Sequence, residues 1–115
     1  MDGVERAIAE LDPELVAIER VFHGASSRSL IVLAEARGAL IAAVARLGLP
    51  MVELAPAAVK SSVTGSGRAD KAQVMRMVRL SLGLGTEALS ADESDALAVA
   101  LAAGQSALSL AQRRL

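Results

Sequence analysis

The chain has no cysteine, tryptophan or tyrosine, and only one phenylalanine and one histidine. Without cysteine there is no disulfide framework and no thiolate metal site, which fits a reducing compartment. Aromatics make up 1% of 115 residues while hydrophobic residues make up 53%, so the core must be built of Ala, Leu and Val. That composition favours closely packed helices. Long uncharged apolar runs are also missing. The longest apolar stretch, 29–49, is interrupted by Glu35, Arg37 and Arg46, whereas a membrane span needs about 20 residues with few charges. The N-terminus, Met1-Asp2-Gly3-Val4-Glu5, lacks the basic-then-apolar order of a secretory signal. The chain therefore reads as soluble and cytoplasmic.

A chain of this length holds one domain, 1–115, with a modest core. Its net charge of −1 excludes no partner class, but the charge is unevenly placed. From Lys60 to Arg79, five cations (Lys60, Arg68, Lys71, Arg76 and Arg79) face one acid, Asp70. Such a local excess suits an anionic partner at one surface. The plainer reading is a solvated helix face.

Hydrophobic spacing sets the order of elements. Val4, Ala7, Ile8 and Leu11 make one stripe of a short helix, ended by Asp12-Pro13. Leu15–Val21, apolar and β-branched, reads as a buried parallel strand broken by Glu19 and Arg20. A loop, 23–27, leads into a helix over 28–47 that is apolar on nearly every side and stops at Gly48. The simplest account of that helix is burial, and the alternative is that one face meets a partner subunit. Pro50–Leu54 is a second strand. Pro56–Val63 is a helical turn with Pro56 near its first position. Helices over 69–82 (Val74, Met77, Val78 and Leu82 inward) and from Ser90 to about Gly104 follow, and 105–115 reads as a frayed turn or short helix with a basic end at Arg113 and Arg114. This alternation is α/β with a parallel sheet, although two strands are few for one.

Three acids stand out. Glu19 ends the first apolar run, at the strand end where α/β proteins build sites. Asp92 and Asp95 share a helical face with Ala96, Val99 and Ala103, so they continue a core-type stripe. Charges beside core sequence need compensation, and a divalent metal supplies it. Helix-start chemistry is the competing explanation, since Ser90 and Glu93 form an S-x-x-E capping box and acids favour a first turn. It explains Glu93 well, Asp92 adequately and Asp95 poorly. Phe22 is either core or a surface on which a base stacks. His23 is a loop residue, a base or a ligand. Thr64-Gly65-Ser66-Gly67-Arg68-Ala69-Asp70-Lys71 joins small residues to a helix start, where backbone amides could meet a phosphate and Arg68 and Lys71 neutralise it. The spacing is not that of a P-loop.

Together these segments resemble the RuvC-type Holliday junction resolvases, of the ribonuclease-H-like fold. The resemblance rests on Val16-Ala17-Ile18-Glu19-Arg20-Val21-Phe22, Glu35-Ala36-Arg37-Gly38, Ala58-Val59-Lys60, Val63-Thr64-Gly65-Ser66-Gly67-Arg68-Ala69-Asp70-Lys71-Ala72-Gln73-Val74 and Asp92-Glu93-Ser94-Asp95-Ala96-Leu97-Ala98. They occur in the family's order, from about Asp12 to Gly104.

The resemblance implies an enzyme, a crossover junction endodeoxyribonuclease. Glu19, Asp92 and Asp95 match three of the family's four acidic ligands, which hold two Mg²⁺ ions, with Mn²⁺ as a substitute. Phe22 matches an aromatic near the junction centre. Lys60 and Lys71 match basic residues beside the scissile strand, and Arg68 and Arg76 extend that DNA-binding set. The 28–47 helix matches the family's dimer helix, so a homodimer on a four-way DNA junction is implied, with a branch-migration complex as partner and no membrane role. There are two departures. The loop 23–27 lacks the Lys-Asn often found there. The family's opening Gly-Ile-Asp-Pro-Gly-type strand, whose Asp is the first ligand, has no counterpart, and neither Asp2 nor Asp12 is in the right element to replace it. The expectation is a partial domain lacking the family's first three strands, with about two parallel strands and four to five helices. Little or no nuclease activity follows, because such residues act as a unit. The alternative is a non-catalytic junction-binding or dimerisation module of the same origin.

Overall fold

The computed structural model describes residues 2–20 and 27–113, without the side chains of residue 2 and of 109–113. Its elements are α1 (Asp2–Leu11), β1 (Val16–Glu19), α2 (Ser27–Arg46), β2 (Met51–Leu54), α3 (Pro56–Thr64), α4 (Lys71–Leu82) and α5 (Ala91–Arg113). Five helices and two parallel strands make the α/β class read from the spacing. The chain forms two compact units, Met1–Val52 and Glu53–Leu115.

In the first unit α1 ends where expected. Asp12 takes a left-handed φ of 46° while its amide donates to the Ile8 carbonyl at 2.9 Å, and Pro13 forbids another turn. β1 pairs with β2 in a two-stranded sheet, and the Val16 amide donates to the Pro50 carbonyl at 3.0 Å. All four β1 residues are half-buried, so this strand is less enclosed than its apolar run suggested. Gly48, at φ 74°, terminates α2 as a Schellman turn, with the Leu49 amide on the Val44 carbonyl at 3.4 Å. An exposed pair, Arg46 to Glu5 at 3.7 Å, links α2 to α1 and adds little stability.

Burial of α2 is the main correction in this unit. Only Ala43 and Val44 are buried, while Ile31 and Val32 are each 60% exposed. An apolar sequence around the whole circumference marks a helix that is covered somewhere, and these residues are not covered within the described chain.

The second unit packs α3, α4 and α5 around valine and alanine. Val59 and Val63 on α3, Val74 and Val78 on α4, and Ala98, Val99, Ala102 and Ala103 on α5 are buried. Each set recurs at three- or four-residue spacing, the mark of a single packed face. Small side chains let the axes approach, which is how a core forms without aromatics. Gly65 (φ 87°) and Gly83 (φ 66°) cap α3 and α4 in the left-handed conformation that glycine adopts at low cost.

One side chain and one boundary differ from the sequence reading. Leu82, expected inward, is 42% exposed and lies with Leu97, Leu101 and Leu108 along an open apolar cleft. α5 runs through Gly104 to Arg113. Glycine in a helix costs about 1 kcal/mol but does not stop it, and a Ser62–Gln105 hydrogen bond holds α5 just past that position.

Candidate functional site

Each acid is positioned by a short local device. Glu19 closes β1 and is half-buried, and Arg37 of α2 donates to its backbone carbonyl at 3.4 Å. Asp92 and Asp95 stand in the first turns of α5, which the expected capping box starts: the Glu93 amide donates to Ser90 Oγ at 3.0 Å and the Ser90 amide to Glu93 Oε1 at 3.2 Å. The core-type stripe drawn through Asp92 and Asp95 needs correcting. Asp92 and Ala96 are exposed and Asp95 is half-exposed, while Val99 and Ala103 of the same stripe are buried together with Ser94, Ala98 and Ala102. The acids thus flank the packed face and keep contact with solvent.

Lys71, the first residue of α4, reaches Asp95 at 3.6 Å, with the two side chains 73% and 46% exposed. Screening makes such a pair energetically weak, so its value is geometric: the α4 start and the α5 start share one location. Asp92 and Asp95 are accessible hard-oxygen donors, the kind a divalent cation such as Mg²⁺ takes. Among the described residues no three Asp, Glu or His side chains gather closely enough to hold an ion. The donors fit such a cation in kind, and two on one helix are fewer than its shell requires.

The basic segment resolves into distinct roles. Arg68 and Arg76 are exposed and line a pocket of about 370 Å³ with Thr64, Ser66, Gln73 and Met77. Lys60 is half-buried on α3. Arg79 is spent on structure, donating to the Gly85 carbonyl at 2.8 Å and pinning the α4–α5 connection. Gln73 was not named as a site residue, and Met77, expected inward, is half-buried and lines this pocket. Their signal was available, since 73, 76 and 77 share one face of α4.

The glycine loop departs from the phosphate reading. Four of its amides are engaged: Gly65 on the Ser61 carbonyl at 2.8 Å, Ser66 on Thr64 Oγ1 at 3.1 Å, Arg68 on Ser66 Oγ at 3.2 Å and Ala69 on the Ser66 carbonyl at 3.2 Å. The α4 start is closed by a capping box in which the Gln73 amide donates to Asp70 Oδ1 and the Asp70 amide to Gln73 Oε1, both at 2.8 Å. A carboxylate on that helix end already uses its dipole. Phe22 and His23 lie outside the described residues.

Comparison with known proteins agrees with the motifs. The family profile described as crossover junction endodeoxyribonuclease RuvC matches residues 1–103. A curated relative from Anaeromyxobacter dehalogenans strain 2CP-C, named crossover junction endodeoxyribonuclease RuvC, is 50% identical over 101 residues, 88% of this chain and 54% of its own. One from Geobacter sp. strain M21 with the same name is 46% identical over 110 residues, covering 92% of this chain and 66% of its own. Among solved structures, Thermus thermophilus RuvC matches with a TM-score of 0.79 at 33% identity. The same protein in complex with Holliday junction substrate matches with a TM-score of 0.82, covering 88% of this chain and 61% of that one. The chain spans about half the length of the first of these relatives. Sequence motifs, fold and these matches agree: the chain belongs to the crossover junction endodeoxyribonuclease RuvC family, metal-dependent nucleases of the ribonuclease-H-like fold.

Proposed function

We propose that this chain supplies the carboxylates and cationic surface of a structure-specific nuclease site for four-way DNA junctions. The observation that carries the reading is the Lys71–Asp95 contact, which puts a cation that neutralises phosphate beside the α5 carboxylates. Family membership supplies the reaction, phosphodiester hydrolysis. The Thermus relative was solved with Holliday junction substrate, which makes a four-way junction the substrate assigned here. Glu19, Asp92 and Asp95 would hold Mg²⁺, two ions per site in the family, with Mn²⁺ as a substitute. An ion held by these residues would supply activation of water and charge neutralisation at the leaving oxygen. Lys60, Arg68, Lys71 and Arg76 bind the strand by neutralising its phosphates, and Phe22 stacks near the junction centre. A homodimer through α2 places two such sites on opposed strands. The setting is cytoplasmic, with a branch-migration complex as partner.

The test is a synthetic four-way junction incubated with the 115-residue chain, with and without Mg²⁺. Binding at low salt should weaken steeply as salt rises, and Arg68→Ala should reduce the log–log slope by about 1. Absence of binding at low salt would sink the proposal. Mg²⁺-dependent cutting that Glu19→Gln abolishes would support Glu19 as a ligand, and cutting unchanged by that substitution would remove it from the set. A second reading, a non-catalytic binding or dimerisation module, is favoured by the Arg68/Arg76 pocket, whose side chains need no metal to grip phosphate. It predicts binding unchanged by Asp95→Asn.

A further inference from the structure

α2 is covered along one face only. Every residue from 27 to 36 is exposed, and cover begins at Arg37. Arg37, Leu40 and Ile41 are half-buried and Ala43 and Val44 are buried, while the rest of the helix is exposed. Positions 37, 40, 41 and 44 recur at three- and four-residue spacing, the mark of a packed face. Arg37 therefore heads an otherwise apolar stripe, a place that a leucine would fill without desolvating a charge. Its stem can lie along the stripe while its charged head reaches beyond it. That head donates to the carbonyl of Glu19, the last residue of β1, at 3.4 Å. The bond is long for an N–H donor and contributes little stability. What it does is tie the end of the strand to the helix. Arg37 belongs to the segment Glu35-Ala36-Arg37-Gly38, to which the DNA-binding reading gives no role.

We infer that Arg37 is a positioning residue for Glu19: by holding the Glu19 carbonyl it sets where the carboxylate leaves the strand, and with it the affinity of the site for a divalent cation. The inference rests on the reading of Glu19 as a ligand given above. β1 has only four residues. Its start is held to β2 by the Val16 amide on the Pro50 carbonyl at 3.0 Å, and its end is held by Arg37. The carbonyl and the side chain of Glu19 leave neighbouring backbone atoms, so fixing the first limits the swing of the second. Metal–ligand distances tolerate a spread of only about 0.2 Å. A strand end that frays therefore loses affinity while the chain stays folded. Outer partners that orient a ligand are typically worth about 10- to 100-fold in metal affinity. Arginine suits the task, because it is charged at every working pH and its planar fork gives up less freedom per bond than a lysine does.

The test titrates Mn²⁺ into the full chain, counts free ion by electron paramagnetic resonance, and records the unfolding midpoint of the same samples. Glu19→Gln and Arg37→Met should each weaken Mn²⁺ binding by about 10-fold or more. The double variant should bind no worse than Glu19→Gln alone, since a residue acting through another has nothing left to act on. Arg37→Lys, which keeps a donor, should recover part of the loss. Leu40→Ala trims the same stripe without touching Glu19, so it should lower the midpoint and leave Mn²⁺ affinity near native. Native affinity in Arg37→Met, with Glu19→Gln weakened, would overturn the positioning role and leave the ligand reading standing. Losses that add in the double variant, or an equal loss in Leu40→Ala, would reduce Arg37 to packing. Affinity indifferent to Glu19→Gln, or no Mn²⁺ binding by the native chain, would overturn the ligand reading and the positioning role together.

Discussion

Asp70 has two opposed effects at the start of α4. Its carboxylate accepts the Gln73 amide at 2.8 Å and so caps the helix, yet it adds the only acid within the 60–79 basic segment. The effects separate by substitution. Asp70→Ala loses the cap and should cost about 1 kcal/mol in urea unfolding. Asp70→Asn keeps a cap acceptor and removes the charge, so stability should hold while strand affinity rises a few-fold at low salt. Equal affinity for native and Asn forms would mean that Asp70 lies too far from the bound phosphates to repel them. Lys71, the next residue, is a contrasting case, since its position next to Asp95 depends on the fold and on no local pattern. The capping box at Ser90 and Glu93 was legible in the sequence because it is a four-residue pattern. The half-exposure of Asp95 was not, because helical period alone cannot say which edge of a stripe the neighbouring helices cover.

Helix ends were readable where glycine takes a positive φ and misread where it does not. Gly48 and Gly83, at φ 74° and 66°, end α2 and α4 as expected. Gly104 carries no such value and α5 continues past it. A Cβ added at Gly104 meets nothing within 4 Å. Gly104→Ala should therefore stabilise the chain by about 0.5–1 kcal/mol, through lower unfolded-state entropy and better helix propensity. Thermal unfolding checks this, and a lower midpoint would mean that α5 needs glycine to bend or pack there. Segment order and class were also legible, because apolar period separates strands from helices. The exposure of α2 was not, since a sequence that asks to be covered does not say by what. The pocket was half visible: Arg68 and Arg76 were named from charge, while Gln73 joins them only once α4 is set beside the loop.

For the assembled protein, α2 presents the strongest demand. Leu40, Ile41, Ala43 and Val44 turn toward their own unit, half-buried or buried. At about 100° per residue, Ile31, Ala34, Gly38, Ala42 and Ala45 fall together on the opposite side, and all five are exposed. No charge interrupts this face, and its small residues let a second helix come close. A two-fold pairing of α2 with its copy covers the same residues on both chains and closes the contact, which an open-ended arrangement does not. This supports the homodimer proposed for junction cutting, in which each protomer addresses one strand. Ala42→Glu places a charge in the middle of the exposed face without touching Ala43 or Val44. It should leave helix content and unfolding midpoint near native while shifting sedimentation toward the monomer, and charge burial makes the loss of self-association at least 10-fold, roughly 1.4 kcal/mol. Junction affinity should fall with it, since two linked half-sites lose their mutual gain. Undiminished association in Ala42→Glu would move the interface off this face, and a native chain that sediments as a monomer at every concentration would leave α2 without the partner its sequence demands.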